Sequence, residues 1–352
     1  MSLNTQAVPK KKLQVPVSVI RAVAPILGAI LGLALSALLV LIAGANPLVT
    51  YKAMFMGAFG GKTQITETLL KTGPLLMIGL GMTAAFRARV WNIGAEGQYY
   101  IGALLGSLVA LFLPNLPRPL LIFLMLAAGI LGGALWGLVP AIFKIKNGVN
   151  EIISTLMLNY IAILFVTYLT RGPLQEPGGY LPMSAQFSEA AQLPTLFGTR
   201  LHLGTILVAL LVPVVYVLLW HTPLGFRLRA VGSRDSVARY AGFSVEKSIL
   251  FALIFSGALA GLAGIIEVST YHLRLKAVIS TGYGFGGILV ALLGRMNPLG
   301  VVVSSIFFSA LLIGAESMHV LTGLPVTLAD AIQALIVLCV MAVDALIRRR
   351  FE

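Results

Sequence analysis

The stretch AVAPILGAILGLALSALLVLIA at residues 22–43 decides the fold. Its 22 residues carry no charge, and as a helix rising about 1.5 Å per residue they exceed the roughly 30 Å hydrocarbon core of a bilayer. A KKK cluster at 10–12 precedes the run and AGA closes it, a layout shared with signal peptides. Signal h-regions extend over only about 7–15 residues, so the length predicts an uncleaved first span.

Working outward, further apolar runs lie at about 70–86, 97–114, 119–143, 151–170, 203–221, 248–268, 278–294, 298–315 and 326–346. The expectation is an all-α polytopic membrane protein with about ten transmembrane helices. Composition agrees: 58% of the 352 residues are hydrophobic and 11% charged, whereas soluble domains average about 45–50% and 25%. That balance excludes an ordinary water-soluble fold. Cys339 is the single cysteine, so no disulfide and no cysteine-based metal site forms within one chain.

The net charge of +13 would suit a nucleic-acid binder, but its distribution follows the positive-inside rule. With Lys10, Lys11, Lys12 and Arg21 in the cytoplasm, alternating spans place 17 of the 25 Lys and Arg inside and 8 outside. Inside segments then carry Arg87 and Arg89, Lys144 and Lys146, the loop 221–248, Arg295 and Arg348–Arg350; the main outside segments are 44–69 and 171–202.

Glycines four apart at Gly28/Gly32, Gly129/Gly133/Gly137 and Gly257/Gly261 mark helix faces that let backbones approach closely. GAEGQYYIGALLG at 94–106 and GYGFGGILVALLG at 282–294 match at five of thirteen positions. In the expected topology they run in opposite directions, as in an inverted repeat, and glycine-rich interruptions at matching places point to a substrate route beside them.

Chemistry-bearing motifs are scarce. MGAFGGKT at 56–63 approaches a phosphate-binding loop, but G-x-x-x-x-G-K-S/T needs glycine where Met56 stands, and no strand precedes it. No HExxH, nucleophile elbow or metal cluster occurs; His202, His221, His272 and His319 are scattered over predicted span ends. Polar residues in or beside apolar runs are more informative: Glu96, Glu151, Asn159, Glu267, Glu316, Asp330 and Gln333. A carboxylate at mid-bilayer costs roughly 2.5–3.5 kcal/mol, so such groups face a polar partner, a cavity or the headgroup region. The loop HTPLGFRLRAVGSRDSVARYAGFSVEKS at 221–248 reads as a short amphipathic helix on the cytoplasmic face. Its basic residues suit lipid headgroups, and its small residues Ala230, Gly232, Ala238, Ala241 and Gly242 suit docking of a cytoplasmic motor.

Taken together, WNIGAEGQYYIGA (91–103), GVNEIISTLMLNYIA (148–162) and AVGSRDSVARYAGFSVEKS (230–248) resemble permease subunits of ABC importers for simple sugars, branched-chain amino acids and nucleosides, most closely the nucleoside branch. The resemblance runs from about residue 65 to the C-terminus. The apolar runs and charges give a cytoplasmic tail at 1–20, one transmembrane domain at 21–347 and a short cytoplasmic tail at 348–352, and the resemblance implies that this domain is a permease whose loop 221–248 couples it to an ATPase. It further implies a multi-pass protein of the bacterial inner membrane that is not an enzyme and holds no cofactor, with ATP and Mg on a partner ATPase. Other implied partners are a second permease, a paralogue, and an extracytoplasmic substrate-binding lipoprotein. Gly232, Asp235, Ala238, Arg239 and Gly242 would couple to the ATPase; Asn92, Glu96, Gln98, Asn150, Glu151, Asn159 and Glu267 would line the translocation pathway. The nearest alternative is the same type of importer carrying a simple sugar or a branched-chain amino acid; an ion-coupled carrier working through Glu96 or Glu267, and a non-transporting scaffold, are the readings from other classes.

Overall fold

The computed structural model describes residues 17–351 apart from Phe197, so most of the expected tail at 1–20 lies outside the described residues. Among the described residues there is no β-strand, only the isolated bridges Met183 with Lys276 and Thr195 with His202. The helices are α1 Val17–Ile42, α2 Pro47–Phe59, α3 Lys62–Arg87, α4 Ala95–Phe112, α5 Arg118–Asn147, α6 Glu151–Thr170, α7 Leu203–His221, α8 Pro223–Ser233, α9 Asp235–Tyr240, α10 Val245–Glu267, α11 Tyr283–Leu293, α12 Pro298–Thr322 and α13 Val326–Phe351. A π-helical turn, Val268–His272, continues α10.

The chain divides into two compact units, one from Tyr51 to Leu321 and one from the two ends outside it. In the latter, α1 and α13 run antiparallel: a Cβ on Gly28 would overlap the backbone at Val340, and one on Gly32 would meet Ile336 Cα at 2.5 Å. The glycine spacing thus buys contact between helix backbones.

Among the described residues, seven helices are long and apolar enough to cross a membrane, or eight if Leu27–Ile42 and Pro47–Phe59 count as one broken span. Two of the ten expected runs differ from plain spans. The polar first turn of α4 holds Glu96 and Gln98. The expected span over 278–294 is an 11-residue helix, α11, only about 16 Å long, preceded by a non-helical stretch, 273–282. Apolar composition alone does not distinguish a full helix from an extended strand of chain feeding half a helix.

Within Tyr51–Leu321 the centre is made by α3, of whose span 78% is buried, and by the α10 span at 67%. The spans of α5, α6 and α7 are only 28%, 22% and 22% buried although strongly apolar, a surface that suits lipid rather than water. Helices α5 and α10 cross on bare backbone: Gly133 lies against Gly257 and Gly261, and Gly137 against the Leu253 carbonyl. On its other side Gly261 meets Gly102 of α4. A side chain at this crossing would push three helices apart. The α5–α6 hairpin closes tightly because Gly148 takes φ +65°, its N–H donating to Lys144 O at 3.1 Å, a left-handed helix end that favours glycine.

Candidate functional site

Two breaks in the helical pattern bring the chemistry together. The first, 88–94, carries WNIG before α4. Backbone polar groups there cannot rely on water, so side chains satisfy them. Ile93 N donates to Thr155 Oγ1 at 3.1 Å and Ile93 O accepts from Asn159 Nδ2 at 2.7 Å. Asn159 Oδ1 accepts from Gly97 N at 2.7 Å, and Asn92 Oδ1 from Gly94 N at 3.0 Å. Asn92 Nδ2 also donates to Gln98 Oε1 at 2.9 Å and Ser256 Oγ at 3.0 Å. Asn92, Gln98 and Asn159 are buried, and their amides hold the break in shape.

The second break, 273–282, is held in the same manner. Ser184 N donates to Leu275 O at 2.8 Å and Ala277 N to Pro182 O at 3.1 Å, tying it to the long loop before α7. Tyr99 donates its hydroxyl to Ile279 O and Tyr100 accepts from Ile279 N, each at 3.3 Å.

The helices that follow these breaks meet start to start. Glu96, in the first turn of α4, accepts from Gly284 N at 2.6 Å, in the first turn of α11. Its carboxylate thus serves two helix N-termini, where negative charge is favoured by exposed N–H groups and helix dipoles. Residues 96 and 284 occupy the same position in the two matching thirteen-residue stretches.

Beside this junction stands a cluster that includes Glu267 but was otherwise missed in the sequence. Lys71 Nζ donates to Tyr283 OH at 2.9 Å and lies 4.7 Å from the Tyr271 ring centre. Tyr283 OH reaches Glu267 Oε1 at 3.5 Å, and the Tyr99 and Tyr283 rings are 6.0 Å apart. A recess of about 30 Å³, lined in part by Lys71, Glu267, Tyr271, Arg200 and His202, has room for about one water. Arg200 pairs with Glu67. His202 stands at the N-terminus of α7 with no side-chain capping bond, its buried Nδ1 has no hydrogen-bond partner among the described residues, and burial pushes its imidazole down to about 4. The sole signal for Lys71 was a charge inside TLLKTGP; nothing in the sequence tied it to Tyr283, 212 residues away.

Asn150 and Glu151 lie apart from this cluster. Asn150 caps α6 by accepting from Ile152 N at 2.9 Å, and Glu151 pairs with Lys144 at 2.5 Å.

The loop 221–248 forms α8, α9 and the start of α10. Ala238, Val231 and Val245 form a small apolar core with Phe243 and Ile249 beside it. Gly232 lies on the Arg87 carbonyl with no room for a side chain. Both small residues therefore face inward, Ala238 into the loop's own core and Gly232 onto the end of α3. Asp235 and Gly242 face solvent, Gly242 with φ +82°, and Arg239 pairs with Glu246 at 2.8 Å. The outward surface also holds Val237, 55% exposed, and Tyr240, 97% exposed, which the sequence did not single out. Behind it the Trp220 ring is flanked by two guanidinium groups, Arg87 at 4.8 Å and Arg229 at 4.6 Å. Arg87 also donates from Nε to Met296 O at 3.0 Å, linking the loop to the turn after α11.

Comparison with known proteins follows the same lines. The family described as "Branched-chain amino acid transport system / permease component" matches residues 64–341. The chain is 37% identical to the glucose ABC transporter permease protein TsgB13 of Haloferax volcanii over 325 residues, 89% of this chain and 85% of the relative. It is 35% identical to the guanosine ABC transporter permease protein NupP of Bacillus subtilis over 323 residues, 90% and 92% of the two chains. It is 30% identical to the nucleoside ABC transporter permease protein NupB of Lactococcus lactis over 327 residues, 90% of each. No solved structure matches. With its apolar helices, its two broken segments and a match over most of its length, the chain is a multi-pass membrane protein and belongs to the family of the branched-chain amino acid transport system permease component.

Proposed function

We propose that this chain is the permease subunit of an ATP-binding-cassette importer and forms the route by which nucleosides cross the bacterial inner membrane. The observation that carries the reading is its relationship to the guanosine and nucleoside permeases, each aligned over 90% of this chain. The geometry is compatible with that substrate. Tyr271, half exposed at the recess, offers a ring face for a base, the buried rings of Tyr99 and Tyr283 add theirs once the helices part, and Lys71 and Glu267 offer a donor and an acceptor for ribose hydroxyls.

Space for about one water beside this cluster means that passage requires the helices around the 96/284 junction to separate. That motion is driven by ATP and Mg on a partner ATPase, while a second permease completes the route and an extracytoplasmic lipoprotein delivers the substrate. The exposed face of α9 receives the ATPase, and the Arg87–Trp220–Arg229 stack carries its movement to α3 and the α11–α12 turn. The chain crosses ten times with both ends inside, and α4 and α11 begin equivalent elements of an inverted repeat.

The glucose permease relative, at 37% identity, favours a second reading, the same machine carrying a sugar. Uptake of labelled guanosine and of labelled glucose in a strain lacking this gene separates them. Lost guanosine uptake with intact glucose uptake is the expected result; the reverse assigns the chain to sugars.

A further inference from the structure

We propose that a recess between α8 and the start of α10 binds an anionic phospholipid of the cytoplasmic leaflet; the inference rests on the topology proposed above, not on the substrate. The recess measures about 390 Å³, and its lining includes Leu224 and Arg227 of α8 and Phe243, Ser244, Lys247 and Phe251. Arg227 and Lys247 are exposed, and neither side chain has a hydrogen-bond or ion-pair partner among the described residues. The neighbouring charges are engaged: Glu246 pairs with Arg239 and accepts from Ser244 Oγ at 3.2 Å, and Arg229 lies on Trp220. Two cations therefore face the recess uncompensated.

The lining together with the helix beyond it identifies the ligand class: Lys247 and Phe251 line the recess, and Phe255 follows one turn further along α10. Lys247, Phe251 and Phe255 are spaced by four residues along α10, so they share one face, and the two rings stack with centroids 5.4 Å apart. The face changes from cationic to aromatic over about 12 Å as the helix enters the bilayer. A phosphate between Arg227 and Lys247 with an acyl chain along Phe251 and Phe255 matches that gradient. A soluble ATPase cannot follow the helix to Phe255, and a free phosphate has no use for the aromatic stripe. Basic recesses between membrane helices on the cytoplasmic side are favourable sites for anionic headgroups.

The test is native mass spectrometry of the purified full-length protein titrated with phosphatidylglycerol, with phosphatidylcholine of the same chains, and with glycerol 3-phosphate. The wild type should retain phosphatidylglycerol in preference to phosphatidylcholine. Arg227→Gln with Lys247→Gln should weaken phosphatidylglycerol retention roughly 30-fold (about 2 kcal/mol, one per cation) and leave phosphatidylcholine unchanged. Both positions are exposed, so an unchanged melting temperature will show that the fold is intact. Phe251→Ala with Phe255→Ala should weaken both lipids. Retention of phosphatidylglycerol by the double glutamine variant at wild-type strength overturns the proposal. So does displacement of the lipid by equimolar glycerol 3-phosphate, which would make this a soluble-anion site. If the glutamine variant keeps its lipid but no longer co-purifies with an ATPase, the recess belongs to the motor. Lipid mass is read directly, so a failed nucleoside assignment would leave this result standing.

Discussion

At the scale of single residues, Glu96 and His202 show how buried polarity can be read. Glu96 is only 4% exposed, yet its carboxylate lies where two helix starts need negative charge. Glu96→Ala would orphan the Gly284 N–H and remove that charge, at a cost of about 2–3 kcal/mol. Glu96→Gln keeps an acceptor and should cost about 1 kcal/mol. Melting of the detergent-purified variants measures both, and an Ala variant as stable as wild type would refute the capping role. For His202 the folded pKa is about 4, below the ordinary value near 6.5. The folded state therefore resists a proton that the unfolded state accepts. Its contribution is complete above pH 6.5 and is lost at up to about 1.4 kcal/mol per pH unit as pH falls toward 4. His202→Gln should flatten the fall in melting temperature between pH 6.5 and 4.5; an unchanged slope would assign the acid sensitivity elsewhere.

At the scale of elements, α8, α9 and the start of α10 form a unit with its own small core, joined to the transmembrane helices through Gly232 on Arg87 O and through the Trp220 stack. Each guanidinium–indole contact of this kind contributes about 0.5–1 kcal/mol at exposed sites and more when desolvated. Without the ring, Arg87 and Arg229 would face one another as like charges. Trp220→Ala in the assembled transporter should therefore lower substrate-stimulated ATP hydrolysis on the order of tenfold, about 1.4 kcal/mol. Co-purification of the ATPase should persist, because the exposed face of α9 is untouched, and Trp220→Phe should recover part of the stimulation. Full stimulation in Trp220→Ala would show that movement reaches α3 by another path. Gly232 is unsuited to probing docking: a bulky residue there would meet the Arg87 carbonyl and disturb the loop before any partner arrived.

At the scale of the whole molecule, the charge asymmetry and the orientation of the two broken segments make one claim together, that the 221–248 loop and the long loop before α7 lie on opposite sides of the membrane. In a Cys339→Ala background, Tyr180→Cys should react with an impermeant thiol reagent in intact cells, and Ser236→Cys only after permeabilisation. Tyr180 is fully exposed, at 100%, so a failure to label reports its side of the membrane rather than burial. The reverse pattern would invert the topology and with it the placement of the coupling loop.

Much of this architecture was legible in the chain because it depends on local or composition-level physics. An uncharged run such as 22–43 is insoluble whatever its neighbours, glycines four apart share a helix face wherever the helix goes, and Asn150 and Gly148 act within a few residues of themselves. The matching stretches at 94–106 and 282–294 marked both broken segments for the same reason. Tertiary structure alone decided the rest. That α11 is half a span depends on Tyr99, Tyr100 and the long loop before α7 satisfying the backbone of 273–282. That Lys71, Tyr283 and Glu267 form one cluster depends on α3, α10 and α11 converging, and that Gly232 and Ala238 turn inward depends on what α8 and α9 rest upon. Period and composition reveal the faces a helix possesses, while the identity of the facing partner is set by packing across hundreds of residues, where no single stretch of sequence carries the information.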